Sequence, residues 1–308
     1  MSAAHLLPSD ITVFERGWLS SNNILISGRD TCALVDSGYV AHAPQTVALV
    51  KARLNGRRLD LLVNTHLHSD HCGGNAALQS AYPALITHIP PGLARHVSSW
   101  DPQALTYTPT GQSCAQFRFD TLLLPGSEIR LGDRHWQVHA APGHDPHSVI
   151  LFEPASRVLI SADALWQRGF GVVFQELEGQ DAFDQVGKTI DLIEALAPKV
   201  VIPGHGSVFD SVAESIAVAR QRLDGFISDP ARHIGYASKV LLKFKLLEVQ
   251  AIRLDAFIAW ASATPYFSMI FSGQVQQPDF AHWIEQLIGE LVKSGAASRD
   301  GSMIRNAG

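Results

Sequence analysis

The chain has 308 residues, 46% apolar and 17% charged, which is enough apolar mass for a large core and more than one domain. A net charge of −5 and a pI of about 6.3 argue against the basic surface that a nucleic acid or an anionic membrane would need. Its three cysteines, Cys32, Cys72 and Cys114, show no pairing pattern and fit a reducing, cytoplasmic setting better than a disulfide framework.

Residues 1–8 lack a basic start and a long apolar stretch, so no signal peptide is expected. No apolar run approaches the roughly 20 residues that span a bilayer, so no membrane partner is expected either. Short strands are predicted at residues 11–15, 23–27, 32–35 and 61–63. The third runs into Asp36-Ser37-Gly38. Residues 65–75 then read Thr-His-Leu-His-Ser-Asp-His-Cys-Gly-Gly-Asn. His66, His68, Asp70 and His71 are all competent metal ligands: imidazole suits zinc or iron, and a carboxylate lets a site hold a second cation. On an extended segment His66, His68 and Asp70 share one side while His71 points elsewhere, so one loop faces two metal positions. Gly73-Gly74 leads into a predicted helix from Asn75 that stops before Pro83. The ligand types thus lie at the carboxyl end of a strand, where open sheets place their chemistry. Cys72 beside them reads as a packed small residue in preference to a ligand.

Further strands are predicted at residues 85–87, 136–140, 148–152, 158–161 and 200–202. Three of them end in a ligand-type residue: His144 in Pro142-Gly143-His144-Asp145-Pro146-His147-Ser148, Asp163 after Leu159–Ala162, and His205 between Gly204 and Gly206. Four such islands in one chain point to a single site. Residues 98–118 lack periodicity and are expected to form a lid. The aromatic segment 165–176 reads equally as an apolar pocket wall or as a buried core loop.

The order of these motifs is similar to that of the metallo-β-lactamase fold superfamily, nearest its glyoxalase II-like and lactonase-like hydrolases, over roughly residues 10–210. The resemblance implies an αββα sandwich in residues 1–210. It implies one metal on His66, His68 and His144 and a second on Asp70, His71 and His205, with Asp163 bridging. Asp70 and Asp163 are the implied catalytic carboxylates. Two divalent cations per chain follow, zinc by default, with iron and manganese as the alternatives. Asp36 reads either as a carboxylate orienting a ligand imidazole or as a turn residue before Gly38. The chain departs from the family after His144, where His147 stands in place of a small residue; it reads as a substrate contact or as surface loop.

The implied activity is dinuclear metal-dependent hydrolysis, with a metal-bound hydroxide attacking the carbonyl of an ester, thioester or lactone in a small-molecule substrate. Little β-lactamase activity is expected, because Asp163 stands where many true metallo-β-lactamases carry Cys or Ser. The alternatives are a mononuclear iron sulfur dioxygenase-type oxidoreductase, a metal-dependent phosphodiesterase or nuclease, and a non-catalytic metal-containing binding module. Residues 211–308 read as a separate helical domain, with helices at 211–227, 234–247, 253–263 and 280–293 and a hairpin around Asp300-Gly301. That order resembles a winged-helix module. With ten Lys/Arg against nine Asp/Glu it lacks a basic footprint, so pocket closure or homodimer contacts are expected there instead of nucleic-acid binding.

Overall fold

A computed structural model describes residues 3–273 and 279–307. The chain divides into two compact units, one formed by Met1–Leu105 with Ser113–Asp224 and the other by Thr106–Gln112 with Gly225–Gly308.

The first unit is the expected αββα sandwich. One sheet orders its strands β1 (Ile11–Phe14), β2 (Asn23–Ser27), β3 (Cys32–Val35), β4 (Leu61–Val63), β5 (Ile86–Ile89) and β6 (Thr121–Leu122). The first three are antiparallel and the pairs from β3 onward are parallel. The second sheet contains β7 (Glu128–Leu131), β8 (Arg134–Ala140), β9 (Val149–Glu153), β10 (Val158–Ala162) and β11 (Val200–Pro203), antiparallel except for the parallel pair β10/β11. Strand alternation sorts their side chains into two layers. Ile24, Ile26, Ala33, Val35 and Val63 pack against Trp136, Val138, Leu151, Ile160 and Ile202 between the sheets. The alternate residues Leu25, Leu34 and Leu62 point outward, where Val50 and Leu54 of α1 (Ala43–Leu54) and Leu78 of a later helix cover them. On the other sheet the alternate residues Leu159 and Val201 are fully buried as well.

This topology brings strand ends together. The carboxyl ends of parallel β3 and β4 share one edge of the sandwich with those of β8, β10 and β11. Every strand that precedes a ligand-type residue finishes there.

Two readings of the sequence need correction. Residues 66–71 are not extended throughout: a helical turn, α2 (Ser69–Cys72), begins directly after His68, before α3 (Asn75–Ala81). Asp70 therefore turns away from His66 and His68 and joins His71. Residues 98–118 are not a structureless lid either. Leu105, Tyr107 and Phe117 are buried, Tyr107–Thr110 forms a helical turn, and Trp100 meets Phe117 edge-on at 5.6 Å.

The second unit packs helices Pro230–Val249, Leu254–Ala263, Pro265–Ser272 and Phe280–Lys293 with a three-stranded antiparallel sheet, β12 (Ala251–Arg253), β13 (Ala297–Asp300) and β14 (Met303–Asn306). The Asp279 carboxylate caps the last helix by accepting from His282 N at 2.7 Å. That helix buries Trp283, Ile284, Leu287, Ile288 and Leu291 along one stripe. Tyr266 and Phe267 are buried too, and Phe271 lies 5.5 Å from Trp283, so these aromatics are core. No helix among the described residues is long and apolar enough to cross a membrane.

Candidate metal centre

The ligand-type residues follow strand ends: the loop after β4 carries His66 and His68 and leads into α2 with Asp70 and His71, while His144, Asp163 and His205 follow β8, β10 and β11. They form two groups whose nitrogen and oxygen atoms lie within 4.8 Å of one another: His66, His68 and His144, and Asp70, His71, Asp163 and His205. In the first group His68 Nδ1 lies 2.8 Å from His144 Nε2. In the second, His205 Nε2 lies 3.1 Å from Asp70 Oδ2. Asp163 faces both, with Oδ2 3.3 Å from His144 Nε2 and Oδ1 3.5 Å from His71 Nε2.

The backbone is bent to achieve this. The β10/β11 register shifts between Ile160 and Ala162, and Ala162 adopts φ 47, a left-handed conformation costly for a residue with a Cβ. The kink re-aims Asp163 into the cluster. Gly204 lies so close that a Cβ there would sit 2.1 Å from Asp163 Oδ1, and a Cβ on Gly171 would sit 2.3 Å from His144 Nδ1. Side chains are excluded where the donors need the room.

Hydrogen bonds fix which ring nitrogen faces inward. His71 Nδ1 lies 2.8 Å from Asp36 Oδ2, and Asp36 also accepts from Thr65 N at 2.9 Å and Thr65 Oγ1 at 2.8 Å. Of the two readings of Asp36, its position supports the orienting carboxylate. His144 Nδ1 lies 2.5 Å from the Val172 carbonyl. The opposite atoms, His66 Nε2 and His71 Nε2, are buried without a hydrogen-bond partner. Buried imidazole nitrogens left unpaired in a cluster of imidazoles and carboxylates are the donor set a divalent cation needs, so the residues fit a metal.

The electrostatics agree. Burial holds His68 and His144 down to about 4, and burial with the neighbouring imidazoles holds His66 well below the usual range. These three rings are neutral at physiological pH, with lone pairs available. Burial opposes charge on His71 too, but Asp163, Asp36 and Asp70 raise it well above the ordinary histidine value. Burial likewise opposes charge on Asp163, yet His71 and His205 draw it well below the carboxylate range. The His71 proton balances those carboxylates, and a cation bound there would take over its charge.

Several supports were not legible in the sequence. Ser20, Ser21, Asn22 and Asn23 are fully buried. Ser21 N donates to Asp70 O at 2.9 Å and Asn22 N to Gly204 O at 2.7 Å, while Asn22 Nδ2 donates to Pro203 O and Gly206 O. Four consecutive small polar residues before an apolar strand were the available signal. Asp145, passed over between His144 and Pro146, places Oδ2 3.6 Å from His68 Nε2. His147 is exposed and packs against Gly92. The Cys72 thiol points to the Leu67 and His68 carbonyls, outside both donor groups.

Aromatic rings frame the cluster. Trp18, 56% exposed, stacks on His205 at 5.3 Å with an interplanar angle of 11°. Trp166 meets Trp18 edge-on and donates its Nε1–H to Asp163 Oδ1 at 3.1 Å. Phe174 borders His68 at 5.2 Å. Segment 165–176 thus divides: Leu165, Phe170 and Val173 are core, whereas Trp166 and Phe174 are half-buried beside the donors.

A two-sheet sandwich with paired His and His/Asp groups at one edge defines a metallo-β-lactamase-type architecture. The chain belongs to the metallo-beta-lactamase superfamily, whose family profile matches residues 16–205. It is 33% identical over 162 residues to a hydroxyacylglutathione hydrolase of Anaeromyxobacter dehalogenans, covering 52% of each chain. It is 30% identical over 165 residues to the human acyl-coenzyme A thioesterase MBLAC2, covering 50% of this chain and 58% of that one. The chain thus spans little more than half the length of these curated relatives. The crystal structure of a beta-lactamase domain protein from Burkholderia ambifaria shares the fold with a TM-score of 0.58 at 18% identity, over 98% of this chain and 94% of that one.

Proposed function

We propose that this protein is a dinuclear metal-dependent hydrolase of acyl substrates, with thioesters first and esters and lactones next. The observation that carries the proposal is the pair of donor groups with Asp163 facing both. Two relatives named for thioester hydrolysis support the substrate class.

His66, His68 and His144 would hold one cation and Asp70, His71 and His205 the other, zinc by default, with Asp163 between. Bound cations supply Lewis acidity at a carbonyl oxygen and lower the pKa of a water from about 15.7 toward neutrality. The chain's own residues set the geometry and handle protons. Asp36 and the Val172 carbonyl keep His71 and His144 in the tautomers that present Nε2. Trp166 leaves Asp163 Oδ2 free by engaging only Oδ1. His71 and His205 outweigh burial and keep Asp70 ionised; it is also the more exposed of the two carboxylates at the cluster. Its carboxylate would take the proton of the attacking water and return it to the leaving thiolate or alkoxide. Trp18, Trp166 and Phe174 would line the approach of an apolar acyl group.

A panel of acyl thioesters, lactones, aryl esters, phosphodiesters and a chromogenic cephalosporin, run with an oxygen electrode, tests this. The expected result is the highest kcat/KM for a thioester or lactone, no oxygen uptake, and a raised KM for apolar acyl groups in Trp18→Ala. A cephalosporin preferred tenfold or more, about 1.4 kcal/mol of transition-state preference, would overturn it. So would oxygen consumption.

A further inference from the structure

Cys72 and Cys114 are 42 residues apart in sequence, yet their sulfurs lie 3.9 Å apart. Cys72 is fully buried in α2, and its thiol is directed at the carbonyls of Leu67 at 3.4 Å and His68 at 3.3 Å. Cys114 is half-buried on an irregular segment, and its thiol also lies 3.6 Å from the carbonyl of its own neighbour Ala115. The segment is pinned on both sides of Cys114, by Ser113 N donating to Tyr39 Oη at 3.1 Å and by Arg118 N donating to Gln79 Oε1 at 3.1 Å. The two sulfurs are therefore held as neighbours, with Cys114 the more accessible of the two. A disulfide needs an S–S distance of about 2.05 Å, so the 3.9 Å pair must close by roughly 2 Å.

We propose that Cys72 and Cys114 form a reversible redox-modification site that takes hydroperoxides as oxidant. The Cys114 sulfur attacks the peroxide O–O bond, giving the Cys114 sulfenic acid and releasing the other oxygen as water from hydrogen peroxide or as an alcohol from an organic hydroperoxide. The Cys72 sulfur then displaces hydroxide from that sulfenic sulfur, and the hydroxide takes the Cys72 thiol proton to leave as water as the S–S bond forms. Two thiols are oxidised and one hydroperoxide is reduced; a dithiol reverses the change. The product removes the Cys72 S–H from the His68 carbonyl and ties α2, which carries Asp70 and His71, to the 113–119 segment. Cys32, buried in the helix–sheet layer among Leu25 and Leu34, is the built-in control.

The test uses the full chain as purified, treated with hydrogen peroxide or with dithiothreitol. Thiols are counted with a chromogenic disulfide after denaturation, and peptides are mapped without reduction. The expected result is a fall from the three thiols of the sequence to one, a linked peptide containing Cys72 and Cys114, and full recovery with dithiothreitol. Cys114→Ser and Cys114→Ala should each retain both remaining thiols at the same dose. Three titratable thiols after oxidation would overturn the proposal. So would an over-oxidised Cys114 unlinked to Cys72, or a linkage involving Cys32.

Discussion

Replacing Asp36 isolates the contribution of one buried carboxylate to the candidate metal site. It is almost completely buried, sits at φ 58, and accepts from Thr65 N, Thr65 Oγ1 and His71 Nδ1. Asp36→Ala strands three buried donors, each worth about 1–3 kcal/mol. The sum is comparable to the total stability of a domain, about 5–15 kcal/mol, so that variant tests folding and little else. Asp36→Asn is the informative change. Asparagine tolerates the left-handed backbone and keeps one acceptor for Thr65, but its amide nitrogen would face a ring nitrogen that needs an acceptor. His71 must then move its proton to Nε2, the atom the metal requires. Loss of such an orienting partner weakens metal binding by about 10–100-fold, equivalent to about 1.4–2.8 kcal/mol. Competition against a chromophoric chelator at fixed pH, alongside circular dichroism, measures this. A folded Asp36→Asn protein that binds metal within twofold of the parent would refute the assignment.

Two further changes probe packing and charge. Gly204→Ala should cut metal loading at least tenfold while leaving the far-ultraviolet spectrum intact, since its Cβ would sit 2.1 Å from Asp163 Oδ1; full loading would show that the carboxylate moves aside at no cost. Away from the candidate metal centre, Arg134 grips Asp10 through two 2.7 Å bonds, and chiefly these hold the Asp10 carboxyl below its ordinary value of 3.8. A depressed carboxyl stabilises the fold above its unfolded pKa, and this is lost as pH falls through the folded one. Asp10→Asn should therefore cost about 1 kcal/mol at pH 7, allowing for partial exposure, and progressively less toward pH 3. Urea midpoints at a series of pH values check this, and an unchanged difference across the range would contradict it.

The residues of the candidate site were more legible in the sequence than the scaffold was. Ligand-type residues follow short apolar strands, and a strand that must be buried and then end leaves a strong local pattern. The predicted strands at 23–27, 32–35 and 61–63 match β2, β3 and β4, and the helix at 280–293 matches residue for residue. The helices Ala43–Leu54 and Phe183–Leu196 carry no clear local signal. Pro44 and Gly187 interrupt their patterns, although proline is tolerated in a helix's first turn. The turn at Ser69–Cys72 is not legible because four residues carry no periodicity, and the pairing of Asp70 with His71 depends on it. The bracing by Ser20–Asn23 and the contact of Cys72 with Cys114 join residues distant in sequence, which no local pattern records.

Metal stoichiometry is the most direct test of the central claim. Seven ligand-type residues in two groups exceed what one tetrahedral site accepts. Elemental analysis of the full chain, purified without added metal and again after incubation with excess zinc and desalting, should give close to two ions per chain in the loaded sample. His68→Ala and Asp70→Ala should each lower that value toward one. At most one equivalent in the fully loaded parent protein would contradict the dinuclear account.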